Sequence, residues 1–189
     1  GVAKRLHSFP DEPHPTVLAY IQKFDPPSPD LYESGVRVIW YPDNRWNCCH
    51  IKSISLLANV LAKEEAHRQK AYEAFYYGPD EMVYEGSTSN AFFFKGGTLY
   101  THPLTNKVLP GVTRQVLLDC AHALGIPLQE VPKIREDFLK ADEVFLASST
   151  REMVAVVKID QTPIADGRVG PLTKKLHAEY QKQVAKHCR

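Results

Sequence analysis

Apolar and polar positions along the chain change period repeatedly, dividing it into short extended and helical stretches. Residues 16–22 (Thr-Val-Leu-Ala-Tyr-Ile-Gln) are β-branched and aromatic, the composition of a strand. Pro26, Pro27 and Pro29 then break the chain. Residues 35–41 alternate as a second strand, ending on an Asp43-Asn44 turn. Ile54, Leu57, Ala58 and Leu61 recur at helical spacing, and Glu64 and Arg68 stand four apart. A helix is therefore expected from about Ser53 or Ser55 to Lys70, with a serine as its cap. Residues 72–77, 82–84, 91–95 and 98–100 are strand-like, and Gly96-Gly97 makes the hairpin turn between the last two. Residues 113–124 form an amphipathic pattern with Thr113 near its start and Gly125 as its stop. A short strand (127–131), a short helix (134–141), strands at 143–148 and 153–159, a hairpin through Pro163 and a charged helix (172–187) complete the pattern. Interleaved strands and helices predict a mixed α and β domain rather than a sandwich.

Composition narrows the class without changing this picture. The 189 residues are 43% hydrophobic and 24% charged, with a net charge of +1, as in ordinary globular domains. No basic stripe or long apolar run stands out, so neither nucleic acid nor a membrane is the expected partner. The four cysteines, including adjacent Cys48 and Cys49, form no CxxC pair, which points to free thiols in a reducing cytoplasm rather than a zinc site or disulfide framework. Cys48 and Cys49 read as packing residues. Residues 1–15, with Pro10, Pro13 and Pro15, read as an extended linker ahead of a domain spanning 16–189.

Four places can carry chemistry. Lys52 falls between a strand and a helix, where desolvation turns a lysine into a nucleophilic amine, although a solvated surface charge has the same local pattern. Glu85-Gly86-Ser87-Thr88-Ser89-Asn90 joins two strands; it is either a polar loop or a place where backbone and carboxylate approach a ligand. Leu109-Pro110-Gly111-Val112-Thr113-Arg114 leads into a helix whose N-terminal amides suit an anion, or is an ordinary Gly/Thr start. Ser148-Ser149-Thr150 follows a strand and offers hydroxyl donors, or simply a turn.

Taken in order, these motifs resemble the fold-type IV pyridoxal phosphate enzymes, the class IV aminotransferases. Ile51-Lys52-Ser53, Leu56-Leu57-Ala58-Asn59-Val60-Leu61-Ala62-Lys63 and Leu99-Tyr100-Thr101-His102-Pro103 look like the D-amino acid aminotransferase branch. Arg5-Leu6-His7 looks like that branch's Arg-x-His trap for the substrate carboxylate. The resemblance implies the large C-terminal domain of the fold, a pseudo-barrel of strands surrounded by helices, with residues 1–15 as interdomain connection. A smaller N-terminal domain, which in the family supplies an arginine and a tyrosine, is absent from this chain. It also implies a pyridoxal 5'-phosphate site: Lys52 as the Schiff-base lysine and proton carrier, Glu85 at the pyridine nitrogen, and Leu109 against the ring. Val112, Thr113, Ser149 and Ser148 take the phosphate, Arg5 and His7 the substrate carboxylate, and no metal is implied.

The activity so implied is transamination between D-amino acids and 2-oxo acids, in a homodimer sharing its active sites. Within the same fold, an aminodeoxychorismate lyase or a branched-chain aminotransferase is the alternative, and Arg5-Leu6-His7 tells against both. From another class, the chain is a non-catalytic piece of such an enzyme.

Overall fold

In a computed structural model, residues 1–187 are described; Cys188 lies outside them. The chain passes through α1 (Pro29–Ser34), β1 (Val36–Pro42), α2 (Leu57–Arg68), β2 (Glu73–Tyr77), β3 (Val83–Gly86), β4 (Asn90–Lys95) and β5 (Thr98–Thr101). It continues through α3 (Val112–Ala123), β6 (Leu128–Glu130), α4 (Arg135–Leu139), β7 (Glu143–Ser148), β8 (Glu152–Ile159), β9 (Thr162–Pro163) and α5 (Pro171–His187). The nine strands form one sheet in the order β3-β2-β1-β8-β7-β4-β5-β6, with β9 on β8.

The burial pattern shows how the sheet curls. In β4, Ala91 and Phe93 face one cluster with Val38, Phe75, Val144, Leu146, Val154 and Val156. Phe92 and Phe94 face the opposite cluster, with Phe145 of β7, Leu117 and Ala121 of α3, and Leu176 and Tyr180 of α5. A strand covered on both faces reads as a continuous apolar run, which is why Ala-Phe-Phe-Phe shows no alternation. The first cluster fills the inside of the curl, with α1 and α4 packed against it, while α2, α3 and α5 cover the other face. The two sheet ends meet through a Met82–Ile134 bridge, with Val83 N–H donating to Lys133 O (2.9 Å) and Arg135 N–H to Glu81 O (3.0 Å). Phe138 of α4 packs inside against Phe75 and Phe93. The architecture is the expected mixed α and β pseudo-barrel.

Four sequence expectations are corrected. Residues 16–22 form no strand; Val17 and Ile21 are 86% and 100% exposed. A strand's unpaired N–H and C=O groups need a neighbouring edge, and no described residue pairs with this stretch. The proline-rich break contains α1, since a proline in the first turn loses no helical hydrogen bond and Gly35 (φ 68°) ends the helix. Helix α2 starts at Leu57 without a side-chain cap; the Ser53 hydroxyl instead accepts the Ser55 N–H at 3.3 Å. Its buried face is Ala62 and Ala66, set against Ile39, Ala74 and Tyr76, while Ile54, Leu57 and Leu61 point outward. The small alanines let the helix lie close to β1 and β2. For α3 the expectation holds: Gly111 occupies the cap position and Thr113 lies within the first turn.

Candidate active site

An open cleft of about 1070 Å³ lies where the start of α2, the β3–β4 loop, the start of α3 and the β7–β8 turn converge. Lys52, Glu85, Leu109, Val112, Thr113, Ser148 and Ser149 all line it, although they are spread over almost a hundred residues of sequence. Arg5 and His7 do not; they lie on the exposed segment before α1. Lys52 sits in the loop between β1 and α2, exposed, with no hydrogen-bond or ion-pair partner among the described residues. Its amine is thus available to a ligand in the cleft.

Glu85, at the end of β3, is buried, and its oxygens meet only donors. Oε1 accepts from Arg45 Nη1 at 2.5 Å; Oε2 accepts from Asn90 Nδ2 (3.1 Å) and the Leu109 N–H (3.0 Å). Burial pushes the Glu85 carboxyl up to about 7, against the opposing pull of Arg45 and the Leu109 amide. Asn90 also donates to Leu109 O (2.9 Å), tying the strand pair to the segment before α3. A Cβ on Gly111 would overlap the Asn90 amide oxygen, so glycine is what allows α3 to begin this close.

The β3–β4 loop is built around a second buried carboxylate. Glu73 of β2 accepts the Thr88 N–H (2.7 Å), the Thr88 hydroxyl (3.0 Å) and the Ser89 hydroxyl (2.8 Å). Asn59 of α2 adds a bond to Ser87 O at 2.8 Å. The loop is therefore fixed from beneath and from the side, while the buried Ser87 hydroxyl oxygen has no partner among the described residues. Replacing Glu73 with Ala strands the buried Ser89 hydroxyl, at roughly 1–3 kcal/mol, and takes the partner from the exposed Thr88 N–H and hydroxyl, which water can partly replace. A net loss of about 3 kcal/mol should lower the melting temperature by roughly 6–12 °C, read by thermal denaturation. An unchanged melting temperature would show that the loop holds itself.

At the other end of the cleft, α3 presents its N-terminus. Gly111 is extended (φ −65°, ψ 135°), the Gln115 N–H to Gly111 O bond (3.1 Å) opens the helix, and Thr113 is buried at its first turn. Free amides, the positive helix end and the hydroxyls of Thr113, Ser148 and Ser149 together suit a multiply charged anion. The cleft therefore has three chemical zones: an amine, a buried carboxylate and an anion cradle.

Several members were not visible as site residues in the sequence. Asp43-Asn44-Arg45 reads as a polar turn, yet the Arg45 and Asp43 side chains are only 4% and 1% exposed and form an ion pair at 3.0 Å. Glu73 reads as the polar start of a strand. Asn59 is the one polar position in the apolar first half of α2 (residues 57–62), a signal that could have marked it. Cys49 is buried, its thiol donating to Trp46 O (3.1 Å) and pushed up by burial, which fits packing rather than reactivity; Cys48 is half-buried.

Comparison with known proteins follows the same lines. The family model for amino-transferase class IV matches residues 2–159. D-alanine aminotransferase of Staphylococcus aureus (strain N315) is 45% identical over 189 residues, 99% of this chain and 66% of its own length. That of Staphylococcus haemolyticus is 42% identical over 185 residues, 97% of this chain and 65% of its own. The chain thus spans slightly less than two thirds of these relatives. Among solved structures, the T.th. branched-chain amino acid aminotransferase complexed with N-(5'-phosphopyridoxyl)-L-glutamate superposes with a TM-score of 0.75 at 31% identity, covering 82% of this chain and 53% of that one.

Proposed function

Because the chain belongs to the class IV amino-transferase family, we propose that it is the cofactor-binding domain of a pyridoxal 5'-phosphate-dependent D-amino acid aminotransferase. The convergence of Lys52, Glu85 and the α3 N-terminus on one cleft carries this reading. The donor set fits the cofactor. Its phosphate matches the α3 amides with Thr113, Ser148 and Ser149, its ring nitrogen matches Glu85, and the partnerless Ser87 hydroxyl leaves a further polar contact within the same wall.

Pyridoxal 5'-phosphate, when bound, supplies an aldehyde carbon for exchange of amines and a ring that draws electrons from the substrate's Cα. Lys52 would hold the cofactor through its amine, and the same amine would carry the substrate's Cα proton. Glu85 holds a proton at the ring nitrogen. Leu109, fixed through its backbone by Asn90 and Glu85, covers one face of the ring. The α3 amides, Thr113, Ser149 and Ser148 bind the phosphate and set the depth at which Lys52 meets its target.

The substrate side rests on the relatives and on the N-terminal segment. Identity is higher to D-alanine aminotransferases (45%) than to the superposed branched-chain enzyme (31%), which favours D-amino acids over the alternative within the family. Arg5 offers a bidentate fork for an α-carboxylate and His7 a second donor. In this reading, as the family resemblance implies, they serve a partner copy's cleft in a homodimer, with residues 1–15 as an interdomain connection. Free Cys48, Cys49 and Cys120 suit a cytoplasmic setting, and among the described residues no helix is long and apolar enough to cross a membrane. The protein supplied with pyridoxal 5'-phosphate should transfer the amino group of D-alanine to a 2-oxo acid, with Arg5→Ala raising KM at least tenfold (about 1.4 kcal/mol of lost binding). Faster turnover of L-branched amino acids, or an unchanged KM, would overturn the D-amino acid reading.

A further inference from the structure

We propose that Arg45, anchored by Asp43, is the positioning residue that keeps Glu85 an oriented, ionised carboxylate opposite the cofactor's ring nitrogen. The inference rests on the reading of the cleft as a pyridoxal 5'-phosphate site, and adds a residue that acts through Glu85.

The geometry is that of a clamp. Arg45 Nε and Nη2 fork onto both oxygens of Asp43 (3.0 and 3.1 Å), Nη2 also donates to Lys107 O (3.0 Å), and Nη1 reaches Glu85 Oε1 (2.5 Å). The guanidinium carbon lies 4.2 Å from the centre of the Tyr76 ring. A planar group held along its edges and covered on one face cannot swing away from Glu85. The Arg45 N–H donates to Asp43 as well (3.0 Å), so the turn that carries Arg45 is fixed by the same carboxylate.

Charge counting separates a positioning role from simple packing. Asp43 alone neutralises Arg45. Glu85 adds a second carboxylate to an already balanced buried pair, leaving a net negative cluster at the cleft wall, which is costly unless a cation arrives. A carboxylate has about four lone-pair sites, and three are filled, by Arg45, Asn90 and Leu109. The remaining site calls for one more N–H donor, and a protonated ring nitrogen supplies both the proton and the positive charge.

The other ionisable groups around Glu85 do not replace Arg45. Cys49, from the same connection as Arg45, and Tyr76 of β2 are both pushed up by burial and stay neutral. Lys107 lies near Tyr84, 5.8 Å from the ring centre, and Lys52 lines the cleft. Among the influences on Glu85, Arg45 is the strongest one favouring the ionised form, and Asp43 opposes it weakly. Without Arg45 the carboxyl keeps its proton and meets the ring nitrogen as a neutral acid.

The test compares binding of pyridoxal 5'-phosphate with its 1-deaza analogue, in which carbon replaces the ring nitrogen, by dissociation constants across neutral pH on the full chain. The unsubstituted protein should prefer the natural cofactor by about tenfold or more, one pKa unit's worth of interaction. Arg45→Met should reduce that preference to about threefold or less and move the pH at which it appears upward by about one unit. Arg45→Lys should restore part of it. Since Arg45→Met leaves Asp43 buried and unpaired, the double variant Asp43→Asn/Arg45→Met removes both charges and should show the same loss. Variants that bind the cofactor with the full preference would overturn the positioning role and leave the proposed function standing. An unsubstituted protein that binds both molecules alike would overturn the role too, and failure to bind either would take the proposed function down with it.

Discussion

Lys52→Ala is expected to lower the transamination rate by at least about 10³-fold while leaving the fold intact, because one amine serves as nucleophile and then as proton carrier, and both roles are lost. Folding should be indifferent. The Lys52 side chain is exposed and has no hydrogen-bond or ion-pair partner among the described residues, so its removal breaks no contact that stabilises the barrel. The melting temperature should therefore stay within about 2 °C of the parent, the effect of a surface substitution within about ±0.5 kcal/mol. Lys52→Arg retains the charge but not a usable amine, and should be equally inactive. Activity surviving in both variants would assign the amine to another lysine, Lys63 being the other one lining the cleft.

Glu85→Gln is the second large effect, and it has a pH signature. In the protein alone, burial places the Glu85 carboxyl near 7 instead of its ordinary 4.5. The folded state then binds the extra proton between those values. Stability from this group is fully present below about pH 4.5 and is lost as pH rises through 7. Binding of a cationic ring has the opposite sign, since it needs the carboxylate. The rise in melting temperature on adding pyridoxal 5'-phosphate should therefore be larger at about pH 8 than at about pH 5.5, and Glu85→Gln should flatten that difference. The same variant should lose about 10²–10³-fold in kcat, the scale for removing one preorganised electrostatic contact to a reacting system. A thermal increment independent of pH in the parent would remove Glu85 from the ring nitrogen.

The parts of the site legible in the sequence are those with local signatures. Gly111-Val112-Thr113 carries the local signs of a helix start, and Glu85 through Asn90 joins two strands whose apolar runs are plain. Their order along the chain carried the resemblance to the class IV aminotransferases, and the fold brings them to one cleft. Arg45 was not legible because its meaning is non-local. A turn of Asp-Asn-Arg is polar in any protein, and only the passage of β3, forty residues later, brings Glu85 against Arg45. Glu73 was hidden likewise, since the loop that it fixes comes fifteen residues on. Residues 16–22 erred in the other direction. Composition favours extended backbone there, but a strand is a property of two segments, and the described chain offers this one no neighbour. Helix α2 shows a third limit: its larger apolar residues suggested the buried face, whereas the sheet accepted the alanines. Ile51, Ile54, Leu56, Leu57, Val60 and Leu61 remain exposed around the loop that carries Lys52.

Reduction and peptide mapping decide whether this cleft holds pyridoxal 5'-phosphate through Lys52. The protein is incubated with the cofactor, treated with borohydride to fix any covalent link, digested, and its peptides weighed. A single major phosphopyridoxyl-modified peptide containing Lys52 is expected, with no such modification in Lys52→Ala. A modification centred on another lysine, or scattered over the surface without preference, would contradict it.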